Sequence, residues 1–110
     1  MAYDEALAAR IRMVLSDEPG LTEKKMFGGI GWMLDGNMAV GAGSKGQMIL
    51  RVSKQTWNEL LDGESYLPME AKGRAMSGWL LVPAERVADD EALREIMQLG
   101  IDHARSLPPK

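Results

Sequence analysis

The sequence predicts one α+β domain in which helices pack against an antiparallel sheet. Three observations lead to this prediction. Patterns typical of amphipathic helices lie near both ends of the chain, apolar residues between them recur with a period of two, and short glycine-containing turns join the alternating segments. Strands joined by short turns pair antiparallel, and strands grouped between helices are typical of the α+β class.

The first helix is predicted over residues 4–16. Asp4 is placed to cap its N-terminus, and the Asp-Glu-Pro-Gly sequence at 17–20 ends it, because proline and glycine do not continue a helix. One face of this helix is apolar at helical spacing. It carries Leu7, Ile11, Val14 and Leu15.

Three strands are predicted next, joined by tight turns at 35–37 and 43–46. In each strand every second residue is apolar, so that one face of the strand would lie toward the core. The alternating positions are Ile30, Trp32 and Leu34, then Met38, Val40 and Ala42, then Met48, Leu50 and Val52. The short turns predict an antiparallel meander.

A short helix and a second hairpin follow the meander. Ser53 is placed to cap the helix, and the sequence Asp-Gly at 62–63 closes it. Its apolar side carries Trp57, Leu60 and Leu61. Strands near 66–72 and 76–82 then flank a turn at 72–74, which predicts the hairpin.

The final helix is predicted to open at Asp89 or Asp90 and to give way to a tail at 106–110. Its apolar stripe carries Leu93, Ile96, Met97, Ile101 and Ala104. The predicted element order is therefore α-β-β-β-α-β-β-α. It contains a five-stranded antiparallel sheet with the helices packed on it.

Composition sets limits on the function. The 110 residues are expected to form one domain, 1–110, and 45% hydrophobic with 26% charged residues is ordinary for a globular protein. The absence of cysteine excludes disulfides, zinc–thiolate sites and thiol catalysis. An acidic start and apolar runs far shorter than the roughly 20 residues of a membrane span favour a cytoplasmic location without membrane contact. A net charge of -3 lacks the basic excess that drives binding to phosphate.

Residues 41–46 match the Gly-x-Gly-x-x-Gly pattern of phosphate-binding loops. In a dinucleotide site this loop opens a helix, because the phosphate lies on helix N–H groups. Here the strand-like residues 47–52 follow instead. We therefore predict a hairpin turn and no cofactor.

His103 is the only histidine, and it stands beside Asp102 near the end of the final helix. Neighbouring helical side chains diverge, and no nucleophile motif accompanies the pair. A single histidine without cysteines is also a poor ligand set for a transition metal. We therefore expect no catalytic residues and no metal site, and predict that the protein is not an enzyme.

The glycine-rich segment 26–31 allows two interpretations. Its glycines would let a ligand or partner backbone approach closely, or they mark a β-bulge or a bare sheet surface that bulky side chains cover. The second is favoured because Trp32, Trp57 and Trp79 are available to fill the space. All three tryptophans are then expected to be largely buried, with Gly28 and Gly29 against packed side chains.

The nine methionines also allow two interpretations. Flexible thioethers form adaptable binding surfaces, and they also fill irregular gaps in a core. The core interpretation is favoured because most methionines fall in predicted strands or on helix faces. These are Met33, Met38, Met48, Met69, Met76 and Met97.

Several segments together resemble the TfoX N-terminal domain family. They are residues 1–4, 22–29, 36–41, 73–79 and 104–110, and the most specific are Lys-Met-Phe-Gly-Gly at 25–29 and Gly-Arg-x-Met-x-Gly-Trp within 73–79. The resemblance spans nearly the whole chain. It implies a fold similar to type III secretion chaperones and a link to regulators of natural competence, in which this domain is joined to a second, helical domain. It brings no catalytic residues.

We therefore expect a non-enzymatic cytoplasmic regulatory module that binds an unidentified protein partner. Two alternatives stay open, a nucleic-acid-binding domain that uses basic residues and a small-ligand binder or enzyme that uses the glycine-rich strand. Basic residues also guard sheet edges, so Lys24, Lys25 and Arg51 are expected at a solvated edge. Pairing of two copies as a C₂ homodimer is expected as well. The candidate interaction surface comprises Lys24, Lys25, Phe27, Gly28, Gly29 and Arg74.

Overall fold

The computed structural model describes residues 4–26 and 28–110 and confirms the α+β class. Three α-helices, six strands and a short 3-10 helix at Ala84–Val87 follow one another along the described chain. The helices are α1 (Glu5–Leu15), α2 (Lys54–Leu60) and α3 (Asp90–Ser106). The strands are β1 (Leu21–Met26), β2 (Gly29–Leu34), β3 (Asn37–Ala42), β4 (Met48–Arg51), β5 (Leu67–Ala71) and β6 (Arg74–Val82).

The sheet has six antiparallel strands in the order β1-β2-β3-β4-β6-β5, so the prediction of five strands is wrong. The missed strand is β1, which pairs with β2 from Leu21↔Leu34 to Met26↔Gly29. Its four central residues, 22–25, are all exposed, so neither face of this edge strand is buried along its middle. It therefore lacks the apolar alternation that identified the other strands.

All three predicted helices are confirmed, and each has the predicted N-cap. Oδ1 of Asp4 accepts hydrogen bonds from the backbone N–H groups of Ala6 and Leu7 at 2.9 and 3.2 Å. Oγ of Ser53 accepts one from Thr56 at 3.1 Å, and Asp89 caps α3. These bonds satisfy N–H groups that a helix leaves free in its first turn.

Helices α1 and α3 cover one face of the sheet, and the hydrophobic core lies between these helices and the sheet. Alternate strand residues point into it, including Trp32, Val40, Leu50 and Leu80, which are fully buried. Gly100 of α3 lies so close to β3 that a β-carbon there would overlap the carbonyl oxygen of Ala39. The glycine therefore sets how closely the helix approaches the sheet.

The opposite face, here called the helix-free face, carries the alternate residues of the same strands. Its central row crosses the sheet through register pairs that join neighbouring strands. The row is Lys24, Gly31, Gly41, Ile49, Leu81 and Leu67. Gly31 and Gly41 are adjacent in this row and have no side chains, so the surface forms a depression there.

A β-bulge in β3 changes which side chains reach the helix-free face. Trp32 pairs with Val40, but Met33 pairs with Met38, so Ala39 is the extra residue of β3. Strict alternation predicts Met38, Val40 and Ala42 on one face. The bulge makes that prediction wrong for Met38, which lies beside Met33 while Val40 and Ala42 face the core.

The predicted turns are confirmed. Asp35 and Gly36 both have positive φ, 53° and 85°, which fits a two-residue hairpin turn. The Gly-x-Gly-x-x-Gly segment forms the turn between β3 and β4, where the N–H of Gly46 donates to the carbonyl of Gly43 at 3.3 Å. A strand and not a helix follows it.

The glycine-rich segment differs from its prediction. Trp32 is fully buried, but Trp57 and Trp79 are only half-buried. A β-carbon on Gly29 would overlap the carbonyl oxygen of Ala42, so close backbone contact explains this glycine better than a packed ring. Gly28 is exposed with φ of 74° and is not packed against core side chains.

Across the described ranges, none of the helices combines the length and the apolar character that crossing a membrane requires.

Candidate functional site

The helix-free face contains a cleft of about 370 Å³, here called the thioether cleft. Five strands and the C-terminal tail contribute to it, and none of its described lining residues comes from a helix. The lining residues are Lys24, Met26, Met33, Gly36, Asn37, Met38, Arg51, Trp79, Leu107 and Lys110.

The floor of the cleft consists of glycines covered by thioethers. A β-carbon on Gly31 would lie 2.7 Å from Sδ of Met26 and 2.9 Å from Sδ of Met38. A β-carbon on Gly41 would lie 3.1 Å from Cε of Met38. The two glycines thus provide the space in which two long, flexible side chains lie flat across the sheet.

The methionines divide between the two faces of the sheet. The core interpretation is confirmed for Met48, Met69 and Met97, which are buried. Met26, Met33 and Met38 are half-buried on the helix-free face instead, while Met13 on α1 is 78% exposed. Three of the described methionines therefore form one adaptable apolar surface.

Arg51 stands at one wall of the cleft and is held by backbone carbonyls. Its Nη1 donates to the carbonyl oxygens of Val52 at 2.8 Å and Gly78 at 3.1 Å. Burial lowers the pKa of its guanidinium from the ordinary value of an arginine. Within the described part of the chain the arginine ion pairs belong to Arg10, Arg12 and Arg105. Among these described residues, Arg51 thus has carbonyl partners and no carboxylate partner.

Gly78 makes this placement of Arg51 possible. Its φ of 88° is in the left-handed region, and a β-carbon there would overlap the guanidinium of Arg51. Glycine adopts this conformation without strain. Gly78 belongs to the Gly-Arg-x-Met-x-Gly-Trp segment, and the next residue, Trp79, supplies the ring beside Arg51.

The cleft is cationic although the chain carries a net charge of -3. Lys24, Arg51 and Lys110 line it, and no aspartate or glutamate does so among the residues that the structure describes. Charges of one sign in a concave surface add to one another, and they favour a ligand of the opposite sign.

The C-terminal tail forms part of the rim. The backbone N–H of Lys110 donates to the carbonyl of Asp35 at 2.8 Å, and Nδ2 of Asn37 donates to the carbonyl of Pro108 at 3.0 Å. Arg105 also binds Asp35, at 3.0 Å. These contacts hold residues 107–110 against the β2–β3 turn, which the sequence did not predict.

The predicted interaction surface is divided by the fold. Lys24 lines the thioether cleft, whereas Lys25 pairs with the core-facing Ile30 and so lies on the opposite face of β1. Gly28 is exposed and Gly29 is buried, and Phe27 lies outside the described residues.

Arg74 is far from the lysines. It begins β6, four strand positions from β1, which at about 4.8 Å a strand is about 19 Å. The structure therefore does not bring Arg74 together with Lys24.

Arg51 is not at a sheet edge, which corrects its predicted role as an edge guard. Its strand, β4, lies between β3 and β6. Lys24 and Lys25 do lie on the edge strand β1. On the other edge, β5 carries Pro68, which cannot donate to a further strand.

Sequence reasoning missed the cleft as a site, although it named several of its residues separately. The pairing of Gly31 with Gly41 was the available signal, because adjacent glycines in neighbouring strands leave a depression. The bulge at Ala39 concealed that Met33 and Met38 share a face.

His103 lies apart from the thioether cleft, in a second cleft of about 260 Å³ with Ser53, Thr56 and Ser106. Burial and the charge of Arg51 lower the pKa of its imidazole from the ordinary value of 6.5. Among the described residues its Nε2 is buried without a hydrogen-bond partner.

Neighbouring polar groups are occupied with other partners. Asp102 accepts a hydrogen bond from Gln98 at 2.7 Å, Ser53 donates to Thr56, and Ser106 donates to the carbonyl of His103. Residues 4–26 and 28–110 place no group of three or more metal-ligating side chains together.

Comparison with known proteins identifies one family. The family model described as the TfoX N-terminal domain matches residues 14–104. No curated protein matches the chain.

Proposed function

Because the chain belongs to the TfoX N-terminal domain family, we propose that it is a non-enzymatic regulatory module of the competence type that acts by binding another protein. Its interaction surface in this proposal is the helix-free face, with the thioether cleft at its centre. The cytoplasmic location, the similarity to secretion chaperones and the C₂ homodimer remain parts of the proposal.

The observation that supports the proposal most is where the family-like segments lie. The segment 22–29 supplies Lys24 and Met26, the segment 36–41 supplies Met38, and the segment 73–79 supplies Trp79. Three segments that are distant in sequence thus meet at one surface. A surface of thioethers and an aromatic ring is typical of protein recognition.

The environment of the polar side chains supports a non-enzymatic role. The serines beside His103 donate to other groups, and Asp102 is bonded to Gln98. A general base needs a proton donor or a water within hydrogen-bond reach. The thioether cleft offers cations, of which Arg51 is held by backbone carbonyls, and flexible apolar side chains, and both suit binding.

The experiment replaces the chain in its native cell by a Met33→Asp variant. Met33 lines the cleft on the helix-free face, so a carboxylate at this position would bind the cations of the cleft in place of a ligand. The matched control is Arg94→Asp on the exposed side of α3. Urea unfolding of both purified variants establishes that they fold.

Two measurements decide the outcome. We expect Met33→Asp, but not Arg94→Asp, to reproduce the transcript changes of a deletion strain and to lose the proteins that crosslink to the wild-type chain. A deletion without transcript changes, or a Met33→Asp strain that behaves as the wild type, contradicts the proposal.

A further inference from the structure

We propose that the thioether cleft binds an acidic segment of a partner protein, in which a carboxylate stands next to a bulky apolar side chain. This inference rests on the proposed function and names the chemistry of the partner. The acidic group would lie against the cationic lining of the cleft, to which Lys24 and Arg51 belong, and the apolar side chain would lie against the thioethers of Met26, Met33 and Met38.

Charge complementarity supports the acidic character of the segment. Arg51 is half-buried and Nη1 is bound only to carbonyl oxygens, so the guanidinium keeps its full charge without a carboxylate among the described residues. Lys24 approaches the cleft from the edge strand. A guanidinium forms its strongest hydrogen bonds with carboxylates and phosphates, which makes an anion the natural occupant.

The floor of the cleft supports the apolar side chain. Sδ of Met26 and Sδ of Met38 both lie over Gly31, and the ring of Trp79 lines the same cleft. Thioethers have several accessible rotamers and polarisable sulfur, so they adapt to apolar groups of different shape. A volume of about 370 Å³ is at the low end of ligand pockets, which span roughly 300–1,000 Å³.

The helix-free face continues beyond the cleft, which favours a chain segment as the occupant. Beyond the buried Ile49, the half-buried Leu81 and Leu67 extend the central row toward the β5 edge. A second depression of about 310 Å³ there is lined in part by Leu67 and Leu81. An extended peptide can contact both depressions at once.

Two other occupants fit less well. A nucleic acid would meet a chain of net charge -3, which repels phosphate beyond the cleft. A second copy in a C₂ dimer would present the same surface, so that Lys24 and Arg51 would face a surface with the same cations and with no acid among its described lining residues.

The test selects peptides from a displayed library of random decapeptides on the immobilised full chain. The most enriched peptide is then synthesised and titrated by fluorescence anisotropy. Methyl NMR of the methionines locates the contact, because Met48 and Met97 in the core serve as internal controls for Met26, Met33 and Met38. A duplex DNA oligonucleotide is titrated in parallel.

We expect enriched peptides to combine aspartate or glutamate with leucine or an aromatic residue. The methyl signals of Met26, Met33 and Met38 should shift, and those of Met48 and Met97 should not. Lys24→Gln should weaken binding about two- to fivefold, as expected for the loss of an exposed ion pair, and Arg94→Gln should leave it unchanged. Arg51→Lys should also weaken it, because an ammonium lacks the planar fork.

Lys24 is exposed, so Lys24→Gln keeps the inference falsifiable even if a variant of Arg51 unfolds. The inference is overturned if no peptide is enriched or if the enriched peptides lack carboxylates. It is also overturned if the core methyls shift instead, if DNA shifts the cleft methyls more strongly, or if those methyls shift with protein concentration alone.

Failure of this inference is distinguishable from failure of the proposed function. If Met33→Asp abolishes regulation in the cell while no acidic peptide binds, the helix-free face is functional with a partner of other chemistry. If acidic peptides bind and Met33→Asp has no cellular effect, the cleft binds as inferred and the regulatory proposal fails.

Discussion

The guanidinium of Arg51 lies over the indole ring of Trp79, with Cζ 5.1 Å from the ring centroid. The two residues are a register pair of β4 and β6, so the sheet itself sets their distance. A cation over an aromatic face is stabilised by about 0.5–1 kcal/mol when exposed and by about 2 kcal/mol when desolvated. The ring and two carbonyl oxygens thus stabilise a half-buried charge without neutralising it.

Because Arg51 lies against Gly78, we expect Gly78→Ala to reduce the free energy of unfolding more than alanine does at another glycine of positive φ. Positive φ strains any other residue, and the new methyl group would also displace Arg51. Gly73→Ala is the matched control, because Gly73 has φ of 77° but open space around it. We expect a loss of about 1 kcal/mol for Gly73→Ala and of about 2–3 kcal/mol for Gly78→Ala. Urea unfolding measures both, and equal losses would show that Arg51 is not held there.

The two glycines of β2 should respond differently to alanine. At Gly29 the new β-carbon would overlap the backbone carbonyl of Ala42, which cannot move without the sheet. At Gly31 it would meet the flexible ends of Met26 and Met38.

We therefore expect Gly29→Ala to cost about 1–3 kcal/mol and Gly31→Ala less than about 1 kcal/mol. Gly31→Ala should nevertheless shift the methyl NMR signals of both methionines. Thermal or urea unfolding of the two variants checks the order, and the reverse order would place the strain elsewhere.

Glu23 predicts a dependence of stability on acidic pH. Its carboxylate binds Arg12 and accepts a 2.8 Å hydrogen bond from Nε1 of Trp32, and these contacts lower its pKa from 4.5 despite partial burial. A lowered pKa in the folded state stabilises the fold above the unfolded value, and that stability is lost as the pH falls through the folded value.

We expect Glu23→Gln to show a shallower loss of stability than the wild type below about pH 4.5. The urea midpoint of each protein is measured as a function of pH. The difference between the two curves gives the contribution of Glu23 apart from that of the other carboxylates. Profiles that stay parallel below that pH would contradict the assignment.

His103 predicts a second loss of stability with falling pH, which occurs at a higher pH than that of Glu23. Burial and the charge of Arg51 lower its pKa below 6.5, so the unfolded chain binds the proton more readily than the folded one. Stability is therefore full above about pH 6.5 and declines as the pH falls through the folded pKa. Asp102 lines the same cleft, but its carboxylate accepts the hydrogen bond from Gln98.

We expect His103→Gln to remove the part of the decline that begins just below about pH 6.5, above the range of most carboxylates. Urea midpoints at closely spaced pH values measure it. A wild-type midpoint that is flat in this window would contradict the prediction.

The sequence predicted what depends on local pattern. The three helices follow from spacing and from Asp4, Ser53 and Asp89 as caps, and five strands follow from alternation and glycine turns. Strand β1 was not predicted because residues 22–25 are polar on both faces of the strand, which an edge strand tolerates.

The site was less predictable than the fold, because it depends on pairing between distant segments. The single extra residue Ala39 reverses the face of Met38, and no local pattern reveals such an insertion. Arg51 was predicted at a sheet edge because no local pattern shows that β6 pairs with the free side of β4. This pairing places β4 inside the sheet. Once β2 and β3 are paired, Gly31 and Gly41 mark the depression directly.

The docking of the tail beside the Asp35–Gly36 turn has a practical consequence for handling the protein. A purification tag fused after Lys110 would leave the molecule at the rim of the thioether cleft. An acidic epitope tag at that position would compete with an acidic partner segment at high effective concentration. Untagged protein, or protein with the tag cleaved, is therefore the suitable material for every binding measurement on this surface.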